Sequence, residues 1–143
     1  MRDIRFRAWN KKYDFMMQSV MVAAYGSGRR CKYDSEWWED ADIEIMQYIE
    51  MKDKDGVDIY EGDIIEFDDV GEEGYEYKEG FDFRNLAVIV WNNGRFELDK
   101  LMSDNSEVLD FMNNCHEDFW NALKNCKVIG NIYENQELLN PQN

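Results

Sequence analysis

The sequence predicts an α+β fold that is rich in strands: a small, barrel-like antiparallel sheet with one or two accessory helices. Short apolar segments with period-two alternation recur along most of the chain, which is the pattern of strands with one buried face. Glycine, asparagine or aspartate follows most of these segments, and these residues reverse the chain between strands. A length of 143 residues fits one hydrophobic core. We therefore expect a single domain over 1–143.

The first fifty residues are predicted to form three strands joined by loops. Apolar and basic side chains alternate from Ile4 to Trp9, as in a strand with one buried and one basic face. Apolar residues also alternate from Ile43 to Ile49. The predicted elements are, in order, a strand at 4–9, a turn at 10–12, an irregular strand at 13–25, a loop at 26–30, a loop or short helix at 34–44 and a strand at 43–50.

Two turns that contain glycine are predicted in the middle of the chain. Gly56 ends a charged turn that begins at Lys52, and we expect it to adopt a positive φ. Gly62 lies in a second reversal, which leads into a strand at 63–68. The acidic and glycine-rich segment 68–80 has no helical periodicity, so we expect an exposed, mobile loop there.

The segment Asp53-Lys54-Asp55-Gly56 superficially resembles a calcium-binding loop, but its spacing argues against one. If Gly56 took the sixth position of such a loop, Met51 and Gly62 would take the first and twelfth positions, where carboxylates are required. We therefore expect a hairpin turn whose aspartates accept hydrogen bonds from their own backbone.

The second half of the chain contains the clearest predicted hairpin. Apolar strands at 86–91 and 95–98 flank an Asn-Gly reversal, which is a preferred connection between paired strands. Apolar residues at fourfold spacing then predict a helical segment from about 103 to 125. A strand at 127–133 follows, and we expect it to pair with the strand at 63–68 because remote strands often close a barrel. Asn135 is expected to cap a final helical turn.

The charge of the chain restricts its partners. Thirty-one acidic residues against sixteen basic ones give a net charge of −15, and such a chain is repelled by nucleic acids and by anionic membranes. We expect no direct nucleic-acid binding and no membrane association. Residues 1–32 nevertheless contain eight Lys/Arg and two Asp, whereas 34–44 and 58–82 are acidic. A basic strand that lies against acidic loops and a bipolar surface for self-association both fit this distribution.

The cysteines and the apolar segments indicate a reduced compartment. Cys31, Cys115 and Cys126 form an odd set without a CxxC motif, and the N-terminus lacks the apolar core of a signal peptide. The apolar segments are too short to cross a bilayer, so we expect a cytoplasmic protein.

Candidate reactive groups are few. Alternate carboxylates of one strand share a face and suit Mg²⁺, and the candidates are Glu61, Asp63, Glu66, Asp68 and Asp69. No Lys, His or Tyr stands at a telling spacing beside them, and solvated carboxylates explain the cluster equally well. His116 and Cys115 are neighbours in the predicted helix, where side chains diverge by about 100°. We expect His116 at the surface and Cys115 in the core, and neither a catalytic residue nor a cofactor or metal.

Five tryptophans, together with arginines of the first thirty residues, would suit a base-stacking platform, but the net charge opposes that use. Packing in a core or an interface is the commoner use of tryptophan. The five tryptophans are Trp9, Trp37, Trp38, Trp91 and Trp120.

Five motifs, near both ends and in the middle of the chain, closely resemble those of the YopX family of phage and prophage proteins. They are Ile4-Arg5-Phe6-Arg7-Ala8-Trp9, Met46-Gln47-Tyr48, Lys52-Asp53-Lys54-Asp55-Gly56, Ile59-Tyr60-Glu61-Gly62-Asp63-Ile64-Ile65 and Val128-Ile129-Gly130-Asn131-Ile132-Tyr133-Glu134-Asn135. The resemblance covers essentially the whole chain. The chain departs from it at Glu50, where the family usually has glycine, and at Asn10 and Gln136, where Asp and Pro are usual.

The resemblance implies a protein of a mobile element, active inside the bacterial host cell, with a compact strand-rich body and no established enzymatic activity. The predicted helical segment at 103–125 is longer than is usual in the family and is an embellishment of this chain. The shared motifs have the character of turns, capped ends and strand faces rather than of a reaction centre. The residues that we expect to fill these architectural positions are Trp9, Gly56, Tyr60, Gly62, Asp63, Gly130, Asn131 and Tyr133.

For function, we expect a non-enzymatic accessory protein that binds another protein, such as a host factor with a basic surface, or that forms a homo-oligomer. One alternative is an acidic mimic of DNA that occupies the cleft of a nucleic-acid-binding protein, because the acidic segments 34–44 and 58–82 supply many carboxylates. The other is a Mg²⁺-dependent nuclease or phosphohydrolase that uses Glu61, Asp63 and Glu66.

Overall fold

Short β-strands dominate the computed structural model, which describes residues 3–26, 28–68, 84–92, 94–100 and 123–139. The prediction of a strand-rich fold is therefore confirmed. The strands within these ranges are β1 (Phe6–Asn10), β2 (Phe15–Met17), β3 (Met21–Tyr25), β4 (Gly28–Tyr33), β5 (Glu36–Glu39), β6 (Ile43–Lys52), β7 (Asp58–Tyr60), β8 (Asp63–Asp68), β9 (Arg84–Asn92), β10 (Arg95–Lys100) and β11 (Lys127–Asn131).

The prediction of one or two accessory helices is not borne out by the described residues. Helical conformation there is limited to two 3₁₀ turns, at Asp40–Asp42 and Gln136–Leu139, and to Leu123 and Lys124. The remainder of the predicted helical segment, with Cys115, His116 and Trp120, lies outside the described residues, as does the predicted mobile loop from residue 69 onward.

The chain contains two compact units. Unit 1 is Met1–Glu50 and unit 2 is Met51–Asn143. Strand β6 runs from unit 1 into the first residues of unit 2. The division falls directly after Glu50, which adopts a left-handed backbone conformation with φ +66°. Glycine favours that conformation and other residues rarely adopt it, so Glu50 occupies a backbone position suited to the glycine that the family usually has there.

Unit 1 begins with an antiparallel sheet in which β1 lies between β2 and β6. Strand β1 pairs with β6 over its whole length, from Phe6 opposite Gln47 to Asn10 opposite Ile43. The segment 13–25, predicted as one irregular strand, consists of the two strands β2 and β3. The break between them lies at the predicted irregularity, where Ser19 has a positive φ of 55°.

A second sheet of unit 1 has the order β3-β4-β5 and corrects two predictions. The predicted loop at 26–30 contains the start of β4, and the predicted loop or short helix at 34–44 contains β5. The two strands join through Asp34 and Ser35, whose φ angles are 51° and 68°. Positive φ at both central residues is typical of a tight type I′ hairpin turn. An Asp-Ser pair predicts such a turn much less clearly than an Asn-Gly pair does.

The core of unit 1 lies between these strands. Buried side chains from β1, β2, β4 and β6 form one cluster, and half-buried aromatic and aliphatic side chains from β3, β4 and β5 pack against it. The buried members are Ala8, Met17, Val20, Cys31 and Ile43. Unit 1 is therefore stabilised chiefly by apolar burial.

Unit 2 contains a four-stranded antiparallel sheet with the order β10-β9-β8-β11. The predicted hairpin is present, with Arg95 opposite Asn92, and Gly94 in its reversal has φ +82°. The predicted pairing of remote strands is also present, because β11 lies antiparallel to β8. Its register shifts between Val128 and Gly130, as at a β-bulge.

No helix of the described residues has the length and the apolar character needed to cross a membrane.

Candidate functional site

The turn after β6 is organised by the carboxylate of Asp53, which is only 6% exposed. Its Oδ1 accepts hydrogen bonds from the backbone N–H groups of Asp55 at 2.8 Å and Val57 at 2.9 Å. The backbone of Gly56, with φ +83°, donates to the Asp53 carbonyl at 3.0 Å. An aspartate that bonds its own turn is the predicted chemistry, and glycine supplies the backbone conformation that the turn requires.

The same carboxylate joins this turn to a strand far along the chain. Asp53 Oδ2 accepts a hydrogen bond of 2.9 Å from the backbone N–H of Val128 in β11, and Lys54 N donates to the Cys126 carbonyl at 3.0 Å. Burial alone would raise the pKa of Asp53, but the three backbone donors and the charge of Lys127 outweigh it and lower the pKa. The carboxylate is thus held ionised as a structural acceptor.

The second glycine turn has a similar construction. Asp63, 1% exposed at the start of β8, accepts a 2.8 Å hydrogen bond at Oδ2 from the backbone N–H of Tyr60. Gly62, with φ +84°, donates through its N–H to the carbonyl of Ile89 at 2.8 Å, and its own carbonyl accepts from Ile132 N at 3.0 Å. Gly62 therefore connects β9 with the end of β11.

Two asparagines shape the C-terminal motif. Asn131 Oδ1 accepts from the backbone N–H groups of Tyr133 at 3.0 Å and Glu134 at 2.8 Å. Asn135 Oδ1 accepts from Asn131 N at 3.1 Å, so it caps the preceding turn rather than the final helical turn that we predicted for it. A Cβ atom on Gly130 would lie 2.5 Å from Asn135 Cγ, and this position consequently requires glycine.

Seven of the eight predicted architectural residues therefore lie in unit 2, at turns or at the ends and the bulge of paired strands. The eighth, Trp9, lies in β1 of unit 1, where it is half-buried and opposite Met16 and Glu44. Buried carboxylates and carboxamides that are occupied by backbone N–H groups stabilise turns. This arrangement fixes backbone geometry and offers no poised proton donor or nucleophile.

The predicted magnesium ligands do not converge in the described residues. Asp63 and Glu66 are three residues apart on β8, and residues at odd spacing project from opposite faces of a strand. Glu61 lies in the preceding turn. No group of three or more His, Cys, Asp or Glu side chains within the described ranges is arranged to hold a metal ion. Asp69 lies outside the described residues, and so does the side chain of Asp68.

The two described cysteines are buried and free of disulfides. Burial raises the pKa of the Cys31 thiol. Burial and the negative charges of Asp53 and Asp63 raise the pKa of the Cys126 thiol to about 12, and the thiol donates to the Leu123 carbonyl at 3.1 Å. Both cysteines are protonated at neutral pH and inaccessible, which is typical of packing residues.

A different surface of the molecule is suited to recognition: one side of the β3-β4-β5 sheet in unit 1. The strand register places Met21, Lys32 and Trp37 side by side, and it places Ala23, Arg30 and Glu39 in the next row. Residues directly opposite on antiparallel strands share a face, as do alternate residues of one strand. We call this surface the outer face, and it consists of Met21, Ala23, Arg30, Lys32, Trp37 and Glu39.

The outer face is directed away from the core of unit 1. The alternate residues Val22, Cys31 and Trp38 occupy the other side of the sheet, where they belong to or pack against the core cluster. On the outer face, Met21 is 62% exposed and Trp37 is 37% exposed. Two large apolar side chains in one row thus face solvent.

Cations surround the exposed indole. The Arg30 guanidinium carbon lies 4.4 Å and Lys32 Nζ lies 5.8 Å from the centre of the Trp37 ring, both within cation–π range. Lys32 forms no ion pair with a carboxylate of the described residues. Tryptophan and arginine are both enriched in binding hot spots.

A further aromatic cluster lies on the other side of β5. Tyr13 packs edge-on against Trp38 with ring centres 5.8 Å apart, and Lys12 Nζ lies 5.5 Å from the Tyr13 ring centre. Tyr13 is 63% exposed. Within the described residues β5 lies at an edge of its sheet, so exposed aromatic side chains flank this strand on both sides.

Sequence reasoning missed the outer face because it did not predict β4 or β5. The signal was nevertheless present. In Glu36-Trp37-Trp38-Glu39 the two tryptophans must point to opposite sides of any strand, and Arg30 and Lys32 alternate with Cys31. Once 28–39 is taken as a hairpin, this alternation separates a core side from a cationic aromatic side.

Comparison with known proteins adds a family and a fold. A family model described as "YopX protein" matches residues 5–140. The crystal structure of protein EF1440 from Enterococcus faecalis is similar, with a TM-score of 0.55 and 23% sequence identity, over 97% of this chain and 99% of that one. No curated protein matches the chain. The structural likeness supports the fold alone.

Proposed function

The chain belongs to the YopX family, and from that membership and the exposed outer face we propose that it is a non-enzymatic phage or prophage accessory protein that binds another protein. It acts in the cytoplasm of the bacterial host. The outer face of unit 1 is the contact surface, and the partner is a host protein or a second copy of the chain.

The composition of the outer face is the observation that carries this proposal. Met21 and Trp37 expose apolar surface in one row, and Arg30 and Lys32 lie beside the indole. Methionine, tryptophan and arginine are enriched in protein interfaces, and tryptophan and arginine dominate their binding energy. Adjacent exposed apolar residues mark interaction sites more often than scattered ones do.

The use of the described polar groups supports the non-enzymatic part of this proposal. The carboxylates of Asp53 and Asp63 accept backbone N–H groups. Asp63 and Glu66 project from opposite faces of β8. An acid–base pair requires two groups that converge on one reacting atom, and these groups support the fold instead.

Site-specific photo-crosslinking in bacterial cells tests the proposal. Benzoylphenylalanine replaces Met21 on the outer face in one variant and Val57, which is 48% exposed in unit 2, in the control variant. We expect a covalent adduct with a protein from position 21 alone, and we expect Trp37→Ala to remove it while Trp91→Ala, at another exposed indole, leaves it unchanged. Adducts of equal yield from both positions, or none from position 21, would refute the proposal.

A second candidate function is mimicry of DNA, and the distribution of charge favours it. Residues 51–143 contain eight Lys/Arg and twenty-two Asp/Glu, whereas residues 1–50 contain eight and nine. An acidic surface that occupies a DNA-binding cleft competes with DNA, and this competition weakens steeply with salt. Inhibition of a DNA-binding protein that is the same at 50 mM and 500 mM salt would exclude this candidate.

A further inference from the structure

We propose that the outer face binds an acidic, extended segment of a partner protein, with Lys32 and Arg30 selecting its carboxylates and Trp37 anchoring an apolar side chain that projects from the same side of the segment. This inference rests on the proposed function and names the chemistry of its partner. Nothing in the family relationship or in the structural likeness specifies it.

Charge complementarity is the first argument. Arg30 and Lys32 place two positive charges beside the exposed ring of Trp37 on this face. Lys11 pairs with Glu44 at 3.3 Å and Lys52 pairs with Asp58 at 2.5 Å. Lys32 pairs with no carboxylate of the described residues and instead lies by the Trp37 ring. A cation held over an exposed indole is positioned to receive an anionic group.

The spacing of the cations is the second argument. Lys32 and Arg30 are two residues apart on β4, so their Cα atoms lie about 6.6 Å apart along one face. An extended segment repeats its side-chain direction at the same interval. Carboxylates at positions i and i+2 of such a segment project from one side and match the two cations in register, and an apolar residue at i−2 or i+4 on that same side is left for Trp37 and Met21.

The net charge distinguishes a protein segment from a nucleic acid. Single-stranded nucleic acid carries a phosphate about every 3.4 Å or more, so a chain with a net charge of −15 would repel many charges of one strand. A short acidic segment brings few charges. At physiological salt its repulsion by carboxylates more than about 8 Å away is largely screened. Ion pairs formed in direct contact on the outer face are screened less. The outer face therefore favours a short acidic segment over a nucleic acid.

Fluorescence anisotropy with the full chain and two labelled synthetic peptides tests the inference. One peptide repeats Leu-Ser-Glu-Ser-Glu-Ser, so that Leu and Glu project from the same side of the extended chain, and the other has Gln in place of every Glu. At 0.15 M NaCl we expect the Glu peptide to bind about tenfold more tightly than the Gln peptide. Lys32→Gln should weaken the Glu peptide about threefold. Lys11→Gln, which removes the same charge elsewhere in unit 1, should not.

The apolar anchor requires its own variants. Trp37→Ala should weaken binding of the Glu peptide about thirtyfold, and circular dichroism confirms that the variant is folded. Met21→Ser, at a more exposed position of the same row, should weaken binding of the Glu peptide less than Trp37→Ala does. It replaces Trp37→Ala as the test variant if Trp37→Ala does not fold. Equal binding of the two peptides overturns the inference, and so does equal binding by Lys32→Gln and Lys11→Gln.

Other outcomes separate this inference from the proposed function. A protein adduct from position 21 whose yield Lys32→Gln does not lower would leave the proposed function intact and overturn the acidic partner. Tighter binding of an oligothymidylate than of the Glu peptide, lost in Trp37→Ala, would also overturn it. A dimer that is lost only in the Trp37 variant and persists at 1 M salt would assign the face to apolar self-association instead.

Discussion

Replacement of Asp53 by asparagine is expected to destabilise unit 2 by about 2 kcal/mol at neutral pH. The remaining carboxamide oxygen can still accept from Asp55 and Val57 in the exposed turn. The new NH₂ group faces the Val128 N–H, which loses its acceptor. A buried donor without an acceptor costs about 1–3 kcal/mol. Asp53→Ala also removes the two bonds within the turn, where water partly replaces them, so a loss of about 4 kcal/mol is expected.

Urea unfolding followed by far-UV circular dichroism measures these losses, and amide hydrogen exchange locates them. The exchange of the Val128 amide should accelerate in Asp53→Asn. Asp55→Asn is the matched control, because Asp55 is an exposed neighbour in the same turn, and it should change stability by less than about 0.5 kcal/mol. If Asp53→Asn and Asp55→Asn were equally stable, the assignment of Asp53 as the acceptor that joins this turn to β11 would be wrong.

The pH dependence of this loss follows from the lowered pKa of Asp53. A carboxylate whose pKa is lower in the folded than in the unfolded state contributes stability above the unfolded value of about 3.9, and that contribution disappears as the pH falls through the folded value. The stability difference between the wild type and Asp53→Asn should therefore be constant from pH 7 to 5 and shrink below about pH 4. A difference that grows on acidification would contradict the mechanism.

Three further predictions concern the backbone and the thiols. Glu50→Gly should be more stable than Glu50→Ala by about 1 kcal/mol in urea unfolding. Both variants lose the hydrogen bond from Asp3 N, but only glycine accepts φ +66° without strain. Equal stability of the two variants would argue against that strain. Gly130→Ala should lower the free energy of unfolding by about 1–3 kcal/mol, because the added methyl group displaces the Asn135 side chain. Gly28→Ala has open space around its Cβ and should lower it less. The opposite order of stability in thermal melts would contradict the crowding at Gly130. Iodoacetamide should leave Cys126 unmodified in the native chain at pH 8 and modify it in urea, because the pKa of the native thiol is raised to about 12. Peptide mass mapping measures both reactions. Rapid modification of Cys126 in the native chain would disprove its burial.

The turns of unit 2 were predictable because their chemistry is local. Gly56 and Gly62 stand where only a residue without a side chain adopts the backbone easily, and an Asn-Gly pair specifies a hairpin by itself. The pairing of β8 with β11 was predictable from the apolar character of two remote segments. Its register shift at Gly130 was not, because it depends on the three-dimensional position of Asn135.

The second sheet of unit 1 was harder to predict for the opposite reason. The turn at Asp34 and Ser35 uses residues with modest turn preference, and the acidic flanks of β5 resemble a solvated loop. Tertiary packing of Trp38 against the core decides the conformation there, and single-sequence patterns do not report such packing. Because the outer face depends on this sheet, the candidate site was missed together with it.

The bond between Asp53 and Val128 also has a consequence for biosynthesis. Its two partners are separated by 75 positions, so one carboxylate oxygen lacks its strand partner until residue 128 has left the ribosome. At about 5–20 residues per second this interval lasts several seconds. A nascent chain that stalls before residue 128 retains the turn but lacks the strand that completes the sheet, and such a truncated product exposes the edge of β8 to proteases and to aggregation.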